Sequence, residues 1–252
     1  MIKPHPQRPG PRAIGPASSD PARNFLVRTA SAAVLAPVAL VATYIGGWLF
    51  LLFCAVAAAA ILWEWLSLVA ARRSRTAVAT TVLWGAIGLV YAAAAFVSPV
   101  LLRHDPGYGL SALCVLFAVV WATDILAYLV GRAVGGPLLW PRLSPNKTWA
   151  GAFGGTAGGV AAGALVAYAS AGTNALVGGA LALLLSIAAQ GGDLFESAVK
   201  RRFGVKDASH LIPGHGGVMD RLDGFLVAAT VAVVIGVLRH GMAAPAQGLL
   251  VW

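Results

Sequence analysis

The sequence predicts an all-α, polytopic membrane protein, and three observations point to that class. Hydrophobic residues make up 59% of the 252 residues, whereas charged residues make up only 11%; soluble domains carry about 45–50% apolar residues. Several apolar runs approach or exceed the roughly 20 residues that a helix needs to cross a bilayer. The Lys and Arg residues fall almost entirely between alternate apolar runs. A soluble protein of this size has no interior large enough to bury so many long runs.

The apolar runs are best divided into seven membrane spans, and a finer division into as many as nine is left open. We place the spans at residues 26–45, 48–70, 77–98, 109–130, 150–171, 174–195 and 224–240. Residues 1–25 are basic, rich in proline and without helical periodicity, which predicts a disordered cytoplasmic tail ahead of a membrane domain over 26–252. A cleaved signal peptide is disfavoured because the tail is long and Arg28 interrupts the first apolar run.

The distribution of positive charge predicts how the spans are oriented. With the N-terminus in the cytoplasm, all but two of the 18 Lys and Arg residues lie on the cytoplasmic side, the exceptions being Arg103 and Arg239. This asymmetry supports that topology, because Lys and Arg accumulate on the cytoplasmic side of membrane proteins. It also accounts for the net charge of +9 without a nucleic-acid partner. We therefore expect the polar loops to face the cytoplasm; a prokaryotic inner membrane is the expected location.

The fifth span carries a regular glycine pattern. Four glycines recur every four residues and share one helical face: Gly151, Gly155, Gly159 and Gly163. Such a face lets the backbone of another helix approach closely. A phosphate-binding glycine loop is the alternative, but the run lacks the Lys-Ser/Thr pair of a P-loop and does not follow a predicted strand. Close helix packing is the favoured interpretation.

Carboxylates in or beside the apolar runs need a reason, because they are costly in a membrane. Glu64 lies near the end of the second span, where we expect it to reach the interface or to pair with an arginine of residues 72–75. Asp124 and Tyr128 are four residues apart, so both can face one cavity. For Asp124 a functional role is favoured over a structural hydrogen bond.

The end of the sixth span and the segment after it concentrate the chain's charge, with ten charged residues between positions 193 and 223. Helical spacing places four side chains on one face: Asp193, Glu196, Ser197 and Lys200. A helix that emerges into water would also carry such a face. The glycines at 191 and 192 allow close approach next to Asp193, however, and favour a binding site. The role of Glu196 is left open.

A glycine-rich loop and a second pair of carboxylates follow. Three glycines surround His215 in Pro213–Gly217, and such a loop can bring backbone N–H groups to an anion. Asp220 and Asp223 open the seventh helix, where either alone could serve only the helix dipole. The cations of this segment include Lys200, Arg201, Lys206 and Arg221. Carboxylates for a hard cation, cations for phosphate oxygens and a flexible loop together predict a phosphoryl- or nucleotidyl-transfer site.

The loop between the fourth and fifth spans supplies a second part of this site. Its sequence is "RLSPNKTWAG" over residues 142–151. Ser144 and Thr148 offer hydroxyl groups, and Lys147 offers an ammonium group for a phosphate. By itself the loop would be unremarkable, but the expected topology places it on the same side of the membrane as the charged segment.

Residues 197–223 resemble the phosphatidate cytidylyltransferase (CDP-diacylglycerol synthase) family. "SAVKR", "KD" and "PGHGGVMDRLD" match the family pattern at its polar positions. Three upstream motifs agree as well: Asp124 with Tyr128, "SPNKT" and "GDLFES". The family often has Lys where Asn146 stands and Glu where Ala150 stands, so no role is carried over to those two positions. The likeness covers roughly residues 25–240.

The resemblance implies that phosphatidic acid and CTP react to give CDP-diacylglycerol and pyrophosphate with Mg²⁺; a second cation and a homodimer are left open. On this hypothesis the catalytic residues are Asp193, Lys200, His215, Asp220 and Arg221. Substrate-binding residues would be Asp124, Tyr128, Ser144, Lys147, Thr148, Ser197, Arg201, Lys206, Asp207, Gly216 and Gly217. Metal ligands would come from Asp124, Asp193, Asp220 and Asp223.

Three other functions share part of this pattern. CDP-alcohol phosphotransferases begin a motif with Asp-x-x-Asp-Gly, which "DRLDG" imitates, but they need two further Asp residues and no acidic residue follows Asp223. A transporter or channel also contains buried carboxylates and glycine faces, although near the midplane rather than on one side of the membrane. A CTP-dependent kinase of a lipid-soluble alcohol is the third alternative.

Overall fold

The computed structural model describes residues 21–72, 77–209, 211–212 and 216–252, with side chains from residue 33 onward. Over these ranges the chain forms eight helices: α1 (Pro21–Ile45), α2 (Gly47–Arg72), α3 (Val78–His104), α4 (Gly109–Val134), α5 (Trp149–Ala171), α6 (Ala175–Phe203), α7 (Met219–His240) and α8 (Pro245–Leu250). A short antiparallel hairpin, which the sequence did not predict, joins α4 to α5 and consists of β1 (Leu138–Trp140) and β2 (Ser144–Thr148).

Six of the described helices, α2 to α7, are long and apolar enough to cross a membrane, which confirms the expected all-α, polytopic membrane class. In α1 the apolar stretch with described side chains, Ala33–Ile45, is shorter, so the count of seven spans stays a prediction. The cytoplasmic N-terminus stays a prediction as well. Residues 1–20 of the expected tail lie outside the described residues, whereas residues 21–25 already belong to α1.

Several helices extend beyond their predicted spans, because hydropathy marks the apolar part of a helix and not its ends. The helix α3 continues through Pro99 to His104, α6 continues to Phe203, and α7 begins at Met219. The last turn of α6 is basic, which suits the negative end of the helix dipole, and Gly204 ends the helix with φ +76°. The charged end of α6 is therefore one continuous helix with its apolar part.

Antiparallel packing of consecutive helices brings four helix ends together. The helix α4 packs along α5, α5 along α6, and α6 along α7. Since the chain reverses after each helix, the C-terminal ends of α4 and α6 lie at the same end of the bundle as the N-terminal ends of α5 and α7. The buried apolar core lies farther along the same helices and includes Leu116, Leu185 and Ala228.

The glycine face of α5 packs against α4, as the sequence predicts. All four of its glycines are buried: Gly151, Gly155, Gly159 and Gly163. A Cβ atom at Gly155 would lie 2.6 Å from the carbonyl oxygen of Thr123, and one at Gly151 would lie 2.6 Å from that of Ala127. Both distances are too short for a real side chain, so the absence of Cβ atoms sets the separation of α4 and α5.

Glu64 has a different role from the one expected from sequence. Its side chain is fully buried and does not reach the interface. Its Oε1 accepts hydrogen bonds from Ser209 Oγ (2.6 Å) and from the backbone N–H of Val218 (2.8 Å), and its Oε2 accepts one from the N–H of Met219 (2.7 Å). The unsatisfied N–H groups at the start of α7 attract an anion more directly than the interface does. Glu64 thus joins α2 to the start of α7.

We expect Gly155→Ala to lower the stability of the folded bundle by about 1–3 kcal/mol, because the added methyl group must push α5 away from the Thr123 carbonyl. Thermal unfolding in a mild detergent measures this change. The matched control is Gly85→Ala in α3, where an added Cβ meets no atom within 4 Å. Equal melting temperatures for the two variants would contradict the close packing of α4 and α5.

Replacing Glu64 by Gln should loosen the start of α7. The amide NH₂ group would face N–H and O–H donors in a buried place, which costs about 1–3 kcal/mol. Hydrogen exchange at Val218 and Met219 should accelerate, and the melting temperature should fall. Ser209→Ala removes one of the three donors and should have a smaller effect. Unchanged exchange in the Gln variant would show that Glu64 does not hold this helix end.

Candidate active site

A cavity of about 750 Å³ opens where the four helix ends and the hairpin meet. Its volume falls within the range of about 300–1,000 Å³ that is usual for ligand sites. Many of the residues singled out from sequence line it: Asp124, Tyr128, Ser144, Lys147, Thr148, Asp193, Ser197, Lys200, Asp220, Arg221 and Asp223. The fold therefore brings together side chains that are almost 100 positions apart in the sequence.

Other predicted site residues do not line the cavity: Arg201, Lys206, Asp207, Gly216 and Gly217. Arg201 is exposed and donates hydrogen bonds to the carbonyl oxygens of Leu143 and Val205, at 3.4 and 3.3 Å. It therefore connects the end of α6 to the hairpin and to the following loop. Lys206 and Asp207 are exposed beside this loop. His215 lies outside the described residues, so its role stays a prediction.

Lys200 is a cavity cation that two carboxylates hold in place. Its Nζ lies 2.7 Å from Glu196 Oε2 and 2.7 Å from Asp220 Oδ1, so it bridges α6 and α7. Glu196, whose role the sequence left open, is only 2% exposed and serves as one of these two anchors. The i,i+4 spacing of Glu196 and Lys200 is the signal that could have identified the pair.

In the glycine-rich loop, Gly217 binds a carboxylate of the chain itself. Asp220 Oδ2 accepts hydrogen bonds from the N–H groups of Gly217 (2.7 Å) and Ala208 (3.1 Å). Gly216 has a φ of +82°, and a Cβ atom there would lie 2.8 Å from Asp220 Oδ2. The sequence predicted that N–H groups of this loop would face an anionic ligand; the N–H of Gly217 instead faces Asp220, because that carboxylate starts the next helix three residues later.

Lys147 reaches across the cavity from the hairpin. Its Nζ lies 2.6 Å from Asp193 Oδ2 on α6, and both side chains remain partly exposed to the cavity. Thr148, next to it, accepts a hydrogen bond from the N–H of Gly151 at 3.0 Å and so caps α5. The cap fixes where the hairpin ends, and with it the direction from which Lys147 enters the site.

Asp193 and Asp223 are neighbours because α6 and α7 touch at glycines. A Cβ atom at Gly192 would lie 2.5 Å from the carbonyl oxygen of Asp223, and one at Gly224 would lie 3.2 Å from Asp193 Oδ1. The two carboxyl groups line the same cavity. Asp124 lines the same cavity from α4. Three carboxylates from three helices thus face one space.

The donor chemistry of this space suits Mg²⁺. Protein sites for Mg²⁺ commonly use one or two carboxylates and leave the other positions to water and substrate phosphates. Asp193 and Asp223 offer such a pair. In the described part of the chain no three His, Cys, Asp or Glu side chains are grouped tightly enough to hold a metal ion by themselves, and which of the four Asp residues bind metal stays a prediction. Asp220 instead faces Lys200 and backbone donors.

Arg132 and Gln190 are among the cavity residues that were not identified as site residues from sequence. Arg132 donates from Nη1 to Tyr128 Oη at 3.0 Å. Gln190 donates from Nε2 to Thr156 Oγ1 at 2.8 Å. The spacing of Asp124, Tyr128 and Arg132 at four-residue intervals is a signal for Arg132, whereas no pattern in the sequence separates Gln190 from ordinary polar residues of a helix.

Comparisons with known proteins match most of this chain. A model described as the cytidylyltransferase family matches residues 26–102 and 83–238. A phosphatidate cytidylyltransferase of Brucella abortus (strain 9-941) is 41% identical over 254 residues, which cover 85% of this chain and 94% of that protein. The enzyme of the same name from Mycobacterium leprae is 46% identical over 119 residues, which cover 47% of this chain and 38% of that protein.

A third relative of that name, from Haemophilus influenzae, is 44% identical over 132 residues, which cover 50% of this chain and 45% of that protein. The family match takes in the cavity residues of α4, α5, α6 and α7 and the hairpin between them. The long Brucella alignment extends the likeness over most of the chain. On these grounds the chain belongs to the cytidylyltransferase family.

Proposed function

We propose that this chain transfers the cytidylyl group of CTP to phosphatidic acid and releases CDP-diacylglycerol and pyrophosphate. The observation that carries the proposal is the cavity at one end of a membrane-crossing bundle, with adjacent carboxylates and several cations on its walls. The names of the similar proteins support the same reaction. The reaction of a lipid phosphate with a nucleoside triphosphate needs a site at the membrane surface that carries both cations and carboxylates.

The reaction needs no general base from the protein. A phosphate oxygen of phosphatidic acid attacks the α-phosphorus of CTP, the bond between the α-phosphorus and the bridging oxygen breaks, and pyrophosphate leaves with the electron pair. The attacking oxygen is already anionic, so no side chain has to remove a proton. The protein must instead bring two anions together in line and neutralise their charge.

The cations of the cavity serve this neutralisation. Lys200 lines the cavity and is oriented by its two carboxylate partners. Lys147 would exchange Asp193 for a phosphate oxygen when the nucleotide binds, since its present partner lies on the opposite wall. Arg221, at the start of α7, lines the cavity beside them. Fixed positive groups stabilise a transferring phosphoryl group without reorganisation.

Asp193 and Asp223, with Asp124 across the cavity, would hold Mg²⁺, which when bound neutralises phosphate oxygens of the nucleotide. Because Lys147 now occupies one oxygen of Asp193, binding of the nucleotide would free that oxygen.

We also propose that the protein resides in the inner membrane of a bacterium, with the cavity on the cytoplasmic side where CTP is available. Assembly as a homodimer is compatible with this arrangement.

The test of the function is a product assay with the purified full chain in mixed micelles. CTP labelled at the α-phosphate should pass its label to a lipid product when phosphatidic acid and Mg²⁺ are present. A parallel reaction with CTP labelled at the γ-phosphate should leave the lipid unlabelled. Transfer of the γ-label to diacylglycerol or another lipid alcohol would mean that the chain is a kinase, and no transfer in either reaction would reject a CTP-dependent enzyme.

Asp193→Asn should lower kcat at least about 100-fold, as losses of a metal or electrostatic group in phosphoryl-transfer sites commonly do. The melting temperature should change little, because Asp193 is partly exposed to the cavity. Asp220→Asn is the comparison: it should lower activity and melting temperature together, because Asp220 holds Lys200 and the loop. Near-normal turnover of the Asp193 variant at low Mg²⁺ concentration would contradict the proposed metal role.

A further inference from the structure

Arg132 differs from the lysines of the cavity in its partners. Lys147 and Lys200 are each paired with carboxylates. Arg132 forms no ion pair with a carboxylate in the part of the chain that the structure describes, and it is held by the neutral hydroxyl of Tyr128 at 3.0 Å. The hydroxyl group orients this guanidinium group on the cavity wall but does not neutralise its charge. Such a group is suited to bind an anion that comes from outside the protein.

The position of Arg132 on α4 indicates which anion this is. Asp124, Tyr128 and Arg132 follow each other at four-residue spacing and all line the cavity. The neighbouring row on the same helix is apolar and exposed: Trp121 (37%), Ile125 (58%) and Leu129 (51%). One row faces the cavity and the adjacent row faces outward, so α4 forms the boundary between the site and the surrounding lipid.

The depth of Arg132 fits a lipid headgroup. It lies in the last turn of α4, at the same end of the bundle as the basic last turn of α6. At that level the apolar surface of a membrane-crossing helix ends and phosphate groups of the bilayer begin. A lipid whose acyl chains lie along the exposed row would therefore have its phosphate close to the guanidinium group.

We propose that Arg132, oriented by Tyr128, binds the phosphate of the lipid substrate, with the acyl chains along Trp121, Ile125 and Leu129. This inference rests on the proposed function and divides the cavity into two parts. The α4 wall receives the phosphomonoester of phosphatidic acid, and the wall formed by α6, α7 and the hairpin receives the triphosphate. Arginine can bind two phosphate oxygens at once, which orients the remaining oxygen for attack, whereas lysine cannot.

Steady-state kinetics of Arg132→Gln separate the two substrates. The KM for phosphatidic acid, measured as its mole fraction in mixed micelles at saturating CTP, should rise about tenfold or more, because a charge-assisted hydrogen bond commonly contributes a factor of that order. The KM for CTP should change less than about twofold. Arg132→Lys should restore only part of the loss, since the bidentate contact is missing. Tyr128→Phe should raise the KM for phosphatidic acid by a smaller factor.

The matched control is Arg142→Gln, which removes an exposed cation from the hairpin turn outside the cavity. Equal KM values for phosphatidic acid in the two Gln variants would overturn the inference. So would a rise in the KM for CTP with that for phosphatidic acid unchanged, which would assign Arg132 to the triphosphate.

A binding measurement without CTP keeps the inference apart from the proposed function. In phosphatidylcholine nanodiscs, added phosphatidic acid should raise the melting temperature of the wild-type protein and of Arg142→Gln, and should raise that of Arg132→Gln clearly less. If the wild type makes no CDP-lipid, the proposed reaction fails, and this comparison still decides whether Arg132 binds a lipid phosphate. An equal rise in all three proteins would overturn the inference.

Discussion

The ammonium group of Lys200 between two carboxylates is the interaction on which the site depends. Glu196 and Asp220 hold it at 2.7 Å from either side, and both carboxylates are largely buried. Removing one partner from a buried group of charges leaves the others uncompensated, which is far more costly than losing a surface ion pair. The group therefore joins α6 to α7 where the bundle must remain open to a charged substrate.

A chain of contacts extends from this ammonium group through the loop between α6 and α7 to α2. Asp220 binds Lys200 with one oxygen and the N–H groups of Ala208 and Gly217 with the other. Just beyond Gly217, the N–H groups at the start of α7 bind Glu64 of α2. Each buried carboxylate satisfies several donors at once. These contacts fix the described residues at both ends of the loop between α6 and α7.

Much of the fold could be predicted from sequence, because the length and apolarity of a run decide whether a helix crosses a membrane. The starts and ends of the helices could not: α6 extends to Phe203 and α7 starts at Met219 because charged residues at helix termini are stabilised by the dipole and by caps, which hydropathy does not register. The hairpin was missed for a related reason, since strands of three and five residues have no detectable period.

The candidate site, too, could be predicted from sequence only in part. The sequence by itself determined the membrane class, the glycine face of α5 and the residue types of a site for phosphates and a cation, since these follow from composition and spacing along single helices. Only the tertiary structure decided which charges face one another, because partners such as Lys147 and Asp193, or Glu64 and the start of α7, are brought together by helix packing and not by proximity in sequence. Gly217 shows this most directly: from the sequence its N–H group could bind any anion, and in the folded chain it donates a hydrogen bond to Asp220.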